Sequence, residues 1–252
     1  MILALYLAYL LLPIVLLAVG AFGESWTNSI FPTGFTLRWF AEVFADASFR
    51  RAFWTSLGVA AGTCAGAALL AIPLAYTLYH RANQGGAFAG RLLASLPVAV
   101  PALTLGFGYI LVFSSDLMPW LGTLPLLIAA HVVLGLPYLT QTLLADLQHL
   151  GVVELEACAA TLGATPWQQF QTVALPCLQH SLVSGLVLVA ALSVGEFQIS
   201  NLIASFKFRT YPVVLLQAFY GATGYACAAT VLLLVLALCA AGITARHTGV
   251  LR

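Results

Sequence analysis

Residues Glu154–Pro176 read ELEACAATLGATPWQQFQTVALP. The segment carries Glu154, Glu156, Gln168, Gln169 and Gln171, and neither lysine nor arginine. It lies in a chain of 252 residues that is 62% hydrophobic and 7% charged. Val152–Leu162 is rich in alanine and suits a helix. Gly163 ends that helix where a left-handed cap costs least. Thr165 then suits an N-cap, Pro166 the first helical position, and Gln168 the third residue of a capping box. Trp167, Phe170 and Val173 recur every three residues as an apolar stripe. The pattern is helix, glycine corner, helix: an amphipathic elbow outside the membrane core. By composition alone the elbow is either an interfacial connector or a docking surface for another protein.

The rest of the chain says what the elbow joins. A soluble domain carries charge at about a quarter of its positions, and the mean hydropathy here is +1.02. Spans of about 20 apolar residues are what a bilayer demands. Six such runs follow one another: Ile2–Gly23, Ala52–Tyr79, Leu92–Phe113, Leu121–Leu144, Ser181–Ala204 and Tyr220–Ala245. Only Glu196 interrupts the fifth. The first run has no basic flank and only a weak cleavage pattern, so it reads as a retained helix. The expected fold is all-α and polytopic, with about six transmembrane helices in a single domain over residues 1–252.

With both termini inside, Arg81, Arg91, Arg246 and Arg252 fall on the inner side. Arg38, Arg50, Arg51, Lys207 and Arg209 then fall on the outer side, so basic residues alone do not choose an orientation. Outer basic residues grip a partner or are simply solvated, the commoner case. Cys64, Cys227 and Cys239 lie within expected helices, as small hydrophobes. Cys158 and Cys177 lie in the polar segment, and no cysteine stands at metal-ligand spacing to a histidine. No G-x-x-x-x-G-K-[ST], G-x-S-x-G or H-E-x-x-H pattern occurs, so no catalytic or metal residue is expected.

Two ionisable residues fall inside expected spans, where such groups are costly and are functional candidates by default. Glu196 either sits at the interface bonded to Ser193, Ser200 or a neighbouring helix, or faces a solute pathway with Gln198. His131 is either a packing histidine bonded across helices or a solute ligand.

The elbow resembles the EAA loop of type I ABC importer permeases. Glu156, Ala159, Leu162, Gly163, Ala164, Phe170, Val173, Leu175 and Pro176 match that pattern. Ala157, Cys158 and Ala160 depart from it, where a second acid, an alanine and a basic residue are frequent. FPTGFTLRWF (Phe31–Phe40), LPVAVPALTLGFG (Leu96–Gly108) and SVGEF (Ser193–Phe197) are similar to other segments of permeases for polyamines and phosphonates. The resemblance implies that residues 145–178 form a cytoplasmic loop with a coupling helix, and that both termini are cytoplasmic in a bacterial inner membrane. It implies coupling to an ATPase through Glu156, Ala159, Leu162, Gly163, Ala164, Trp167, Phe170, Leu175 and Pro176. The expected partners are a cytoplasmic ABC ATPase dimer that binds the ATP and Mg, a second permease subunit, alike or different, and an extracytoplasmic solute-binding protein. No nucleic acid and no cofactor of the chain's own is expected. The implied solute is small and polar or charged, with 2-aminoethylphosphonate or a polyamine favoured. The alternative is a stand-alone secondary transporter with six helices. Such folds usually carry internal repeats, and residues 1–120 show no similarity to 121–252.

Overall fold

The structure, a computed structural model, describes residues 2–26, 31–81, 90 and 95–247, apart from the side chains of residues 2, 4 and 239–247. Arg91, Leu92, Arg252 and the side chains of Cys239 and Arg246 lie outside the described residues. Among the described residues the elements are helical, and the β pairing is an isolated bridge between Ser25 and Thr33. Among the described residues three helices are long and apolar enough to cross a membrane alone: α1 (Ile2–Phe22), α3 (Ala47–His80) and α5 (Leu124–Leu150). A fourth candidate is the pair Pro166–Cys177 and Gln179–Gly195, bent by 63°. The all-helical expectation holds; of the six expected spans the third and the fifth are broken, while the sixth is the continuous helix Thr223–His247.

The breaks have local causes. Val100 precedes Pro101, and a residue before proline is pushed out of the helical region. The third run therefore gives a helical turn at 95–99 and a separate α4 (Ala102–Phe113). The fifth run, expected to extend from Ser181 to Ala204, stops as α9 at Gly195 and restarts as α10 (Gln198–Ile203). Glu196 causes this interruption, because its carboxylate accepts the backbone N–H groups of Ile199 and Ser200 at 2.8 and 2.9 Å. Those donors would otherwise be orphans of the new helix. α5 runs well past the expected Leu144, starting with Pro125 in its first turn and ending at Gly151, φ 59°.

The chain divides into two compact units, residues 1–55 with 209–252, and residues 56–208. In the first, α1 and α2 (Arg38–Ala45) pack on α12 (Thr223–His247), as does α11 (Tyr211–Phe219). Ala21, Val43, Phe49, Ala52, Cys227, Ala228 and Ala229 form its core, and small residues let the helices approach closely. Asp46 caps α3 by accepting from Ser48 N at 2.6 Å, and Tyr225 donates its hydroxyl to the other carboxylate oxygen at 2.9 Å.

In the second unit α5 packs along α9 (Gln179–Gly195). Gly185 and Gly135 permit that approach: a Cβ on Gly185 would stand 2.5 Å from Leu139 Cδ1, and one on Gly135 2.9 Å from Val189 Cγ1. One core cluster gathers Ala67, Ala71 and Ala75 of α3 with Leu139, Leu143, Leu147, Ala174 and Leu178. A separate cluster joins Val59, Leu126, Leu127, Ala130, Ile199 and Ile203. The polar elbow therefore sits on the first cluster, which α9 joins through Val189, whereas α10 packs in the other.

Candidate coupling elbow and solute cavity

The elbow begins at Gly151, whose left-handed conformation ends α5 and opens α6 (Val152–Thr161). Gly163 forms the corner with φ 87°. Gly163 N donates to Ala160 O at 2.9 Å and Ala164 N to Ala159 O at 3.1 Å, the paired bonds of a Schellman ending. The short helix α7 (Pro166–Gln169) starts on a complete capping box. Gln168 N donates to Thr165 Oγ1 at 3.4 Å, and Thr165 N donates to Gln168 Oε1 at 2.8 Å. The chain then widens into a π-helical turn, Phe170–Ala174, before α8 (Leu175–Cys177). Pro176 explains the widening, since it has no N–H for the carbonyl four residues back.

That turn splits the expected stripe. Trp167 is 64% exposed, whereas Phe170 is half-buried and packs on the α3 cluster. Their rings stack at 5.6 Å. Val173 is also half-buried, Leu175 partly so, and Pro176 exposed. Leu162 is 89% exposed beside the corner, and Ala159 and Ala164 are partly covered. Leu162 and Trp167 are thus the most exposed large apolar side chains of the elbow, ahead of Val153 and Leu155 on α6.

Glu156 is only 4% exposed. Its Oε1 accepts the Tyr76 hydroxyl at 2.9 Å, and its Oε2 lies 3.0 Å from His80 Nε2. Tyr79 accepts from Val153 N at 3.2 Å. Sequence reading passed over these three α3 residues. The only available signal was their spacing, which puts Tyr76 and His80 on one face of the last helical turn.

The three pathway candidates line one cavity of about 660 Å³, together with Pro97, Pro101, Leu134, Tyr138, Leu192 and Phe197. His131 is 2% exposed. Its Nδ1 lies 2.8 Å from Ser193 Oγ and its Nε2 2.9 Å from Ser200 Oγ. Ser200 gives its own hydrogen to Glu196 Oε2 at 2.9 Å. The network therefore places a proton on His131 Nε2, the donor Ser200 can accept. Nε2 is also 3.6 Å from Glu196 Oε2. Buried polar atoms need partners, and His131 has both of its nitrogens paired. Gln198 is exposed. Among the described residues no lysine or arginine lines the cavity.

No protein-family model matches the chain. It is 29% identical over 216 residues to the 2-aminoethylphosphonate transport system permease protein PhnV of Salmonella paratyphi A, covering 84% of this chain and 78% of that one. It is 25% identical over 221 residues to the putrescine transport system permease protein PotI of Escherichia coli K12, covering 86% and 78%. A bacterial ABC transporter that imports the acidic polysaccharide alginate superposes with a TM-score of 0.77 at 18% identity, over 98% of this chain and 91% of that one. Fold and relatives together make the chain a transport-system permease. More narrowly, it is a permease of the ABC importer type, as its sequence resemblance implies.

Proposed function

We propose that the chain forms half of a solute pathway and couples it to a cytoplasmic ATPase through residues 145–178. The observation that carries the coupling is the pair of highly exposed apolar side chains, Leu162 and Trp167, flanking the left-handed corner at Gly163. A short helix presenting such anchors suits a cleft on a partner. Ala159, Gly163, Ala164, Phe170, Leu175 and Pro176 shape and support that pair. The ATPase binds the ATP and Mg and does the hydrolysis; the permease itself is non-catalytic. A second permease subunit completes the pathway, and an extracytoplasmic binding protein delivers the solute. The alginate transporter, solved with a pentasaccharide-bound periplasmic protein, is of the same fold. Both termini lie in the cytoplasm of a bacterial cell, and the protein resides in the inner membrane.

The solute carries an amino group. The cavity presents the Glu196 carboxylate, the Gln198 amide and the Tyr138 and Phe197 rings; His131 is held by Ser193 and Ser200, and no lysine or arginine is among the described lining residues. Such a lining favours a cation over an oxyanion by simple charge and by the faces of its aromatic rings. An ammonium is common to 2-aminoethylphosphonate and putrescine, the solutes named for the two relatives. Cells relying on this permease and its neighbouring transport genes should take up labelled 2-aminoethylphosphonate or putrescine. Uptake of sulfate with neither amine would refute the amino-group assignment. Pull-down of the solubilised permease tests the coupling directly: an ATPase subunit should come with it.

A further inference from the structure

The EAA acid points into the molecule. Glu156 is the buried end of the elbow, and its two oxygens are taken by Tyr76 and His80. A carboxylate so placed presents nothing to a protein docking from outside. The same tyrosine reaches the elbow's other arm, its ring meeting Phe170 edge-on at 5.0 Å. Tyr76 and His80 also pack on each other, with ring centroids 4.4 Å apart. The last turn of α3 therefore touches α6 through Glu156 and Val153, and the turn after α7 through Phe170.

The elbow's covalent joints are different in kind. It meets α5 at Gly151, a left-handed glycine, and α9 through a π-helical turn and a proline. Both joints depart from regular helix. By contrast, a buried carboxylate cannot leave its partners without exposing an unpaired charge to a poor solvent. Displacement of the elbow must carry the end of α3 with it or break that contact. We propose that the last turn of α3 receives the elbow's movement, and that Glu156 is the positioning residue joining the two. The proposal rests on the coupling reading above, and it assigns the acid an inward task rather than contact with the ATPase.

The test uses the full complex of permease and ATPase in nanodiscs, with native cysteines replaced and nitroxides on Thr161→Cys and Arg81→Cys. Electron-electron resonance reads their separation with and without ATP and vanadate. In the wild-type background the separation should stay unchanged on trapping, because elbow and α3 travel together. In Glu156→Gln and in Tyr76→Phe, which removes one hydroxyl and leaves the ring on Phe170, trapping should shift or broaden it. ATPase retention should be unaltered in both. The double variant should resemble Glu156→Gln alone, since the two changes cut one contact. A shift already present in the wild-type background overturns the proposal, as do variants identical to it. Loss of the ATPase from Glu156→Gln also overturns it, by placing the acid at the partner interface. A wild-type permease that binds no ATPase at all overturns the coupling reading itself, and this proposal with it.

Discussion

Gly163 has φ 87° and open space where a Cβ would stand. Any cost of substitution there is therefore backbone strain, of about 1–2 kcal/mol for a residue with a side chain, and greatest for a β-branched one. Gly163→Val should leave expression and insertion intact and lower solute uptake, while Gly163→Asn, tolerant of positive φ, should retain most of it. Normal uptake by Gly163→Val would remove the corner from the account. His131 sits at the opposite extreme, buried at the wall of the cavity with both ring nitrogens bonded. His131→Leu leaves Ser193 and Ser200 short of a buried partner, at a cost of about 1–3 kcal/mol, and should lower the melting temperature of the purified permease. The corner was legible in sequence because its causes are local: Gly163, Thr165 and Gln168 bond within a few residues. The histidine's setting was legible only as a pair of alternatives. Its partners lie 62 and 69 residues away, and no local pattern fixes which helix faces it.

The elbow illustrates the same division at the scale of elements. Two arms and a corner could be read from the residues, and the structure has them. The stripe of Trp167, Phe170 and Val173 assumed one continuous α-helix. The π-helical turn before Pro176 rotates Phe170 onto Tyr76 and leaves Trp167 outside. The two aromatic residues should consequently fail differently. Trp167→Ala should weaken ATPase binding by about 2 kcal/mol, the scale of an interface hot spot, which is near thirtyfold in Kd. The same change should leave the permease's own stability nearly untouched. Phe170→Ala empties part of a packed cluster and should destabilise the permease by about 3–5 kcal/mol if the site does not collapse. Equilibrium binding of purified ATPase and thermal unfolding, measured on both variants, separate the two effects. Equal effects of both variants on stability would contradict the placement of Trp167. The broken fifth run escaped sequence reading for a related reason: Glu196 was weighed as an acid inside a span, whereas it ends the span by capping the next helix.

Across the whole molecule, hydrophobic runs announced an all-helical membrane protein, and a polar segment of 23 residues, Glu154–Pro176, announced its class. Runs of apolar residues do not reveal where proline or a capping acid cuts them, which is why the third and fifth runs come as separate helices. Orientation was the property that basic residues could not choose, and the coupling account depends on it. The cavity lies against the broken fifth run and the elbow against the α3 cluster, so the account places solute and ATPase at separate sites of one unit. The decisive measurement is cross-linking in intact cells. Ala164→Cys and Gln168→Cys, each introduced after replacing the exposed Cys158, lie beside the exposed pair Leu162 and Trp167. Both should cross-link to the ATPase, and neither should react with a membrane-impermeant maleimide supplied outside spheroplasts. Labelling from outside, with no ATPase adduct, would contradict the claim that this elbow is the cytoplasmic coupling element.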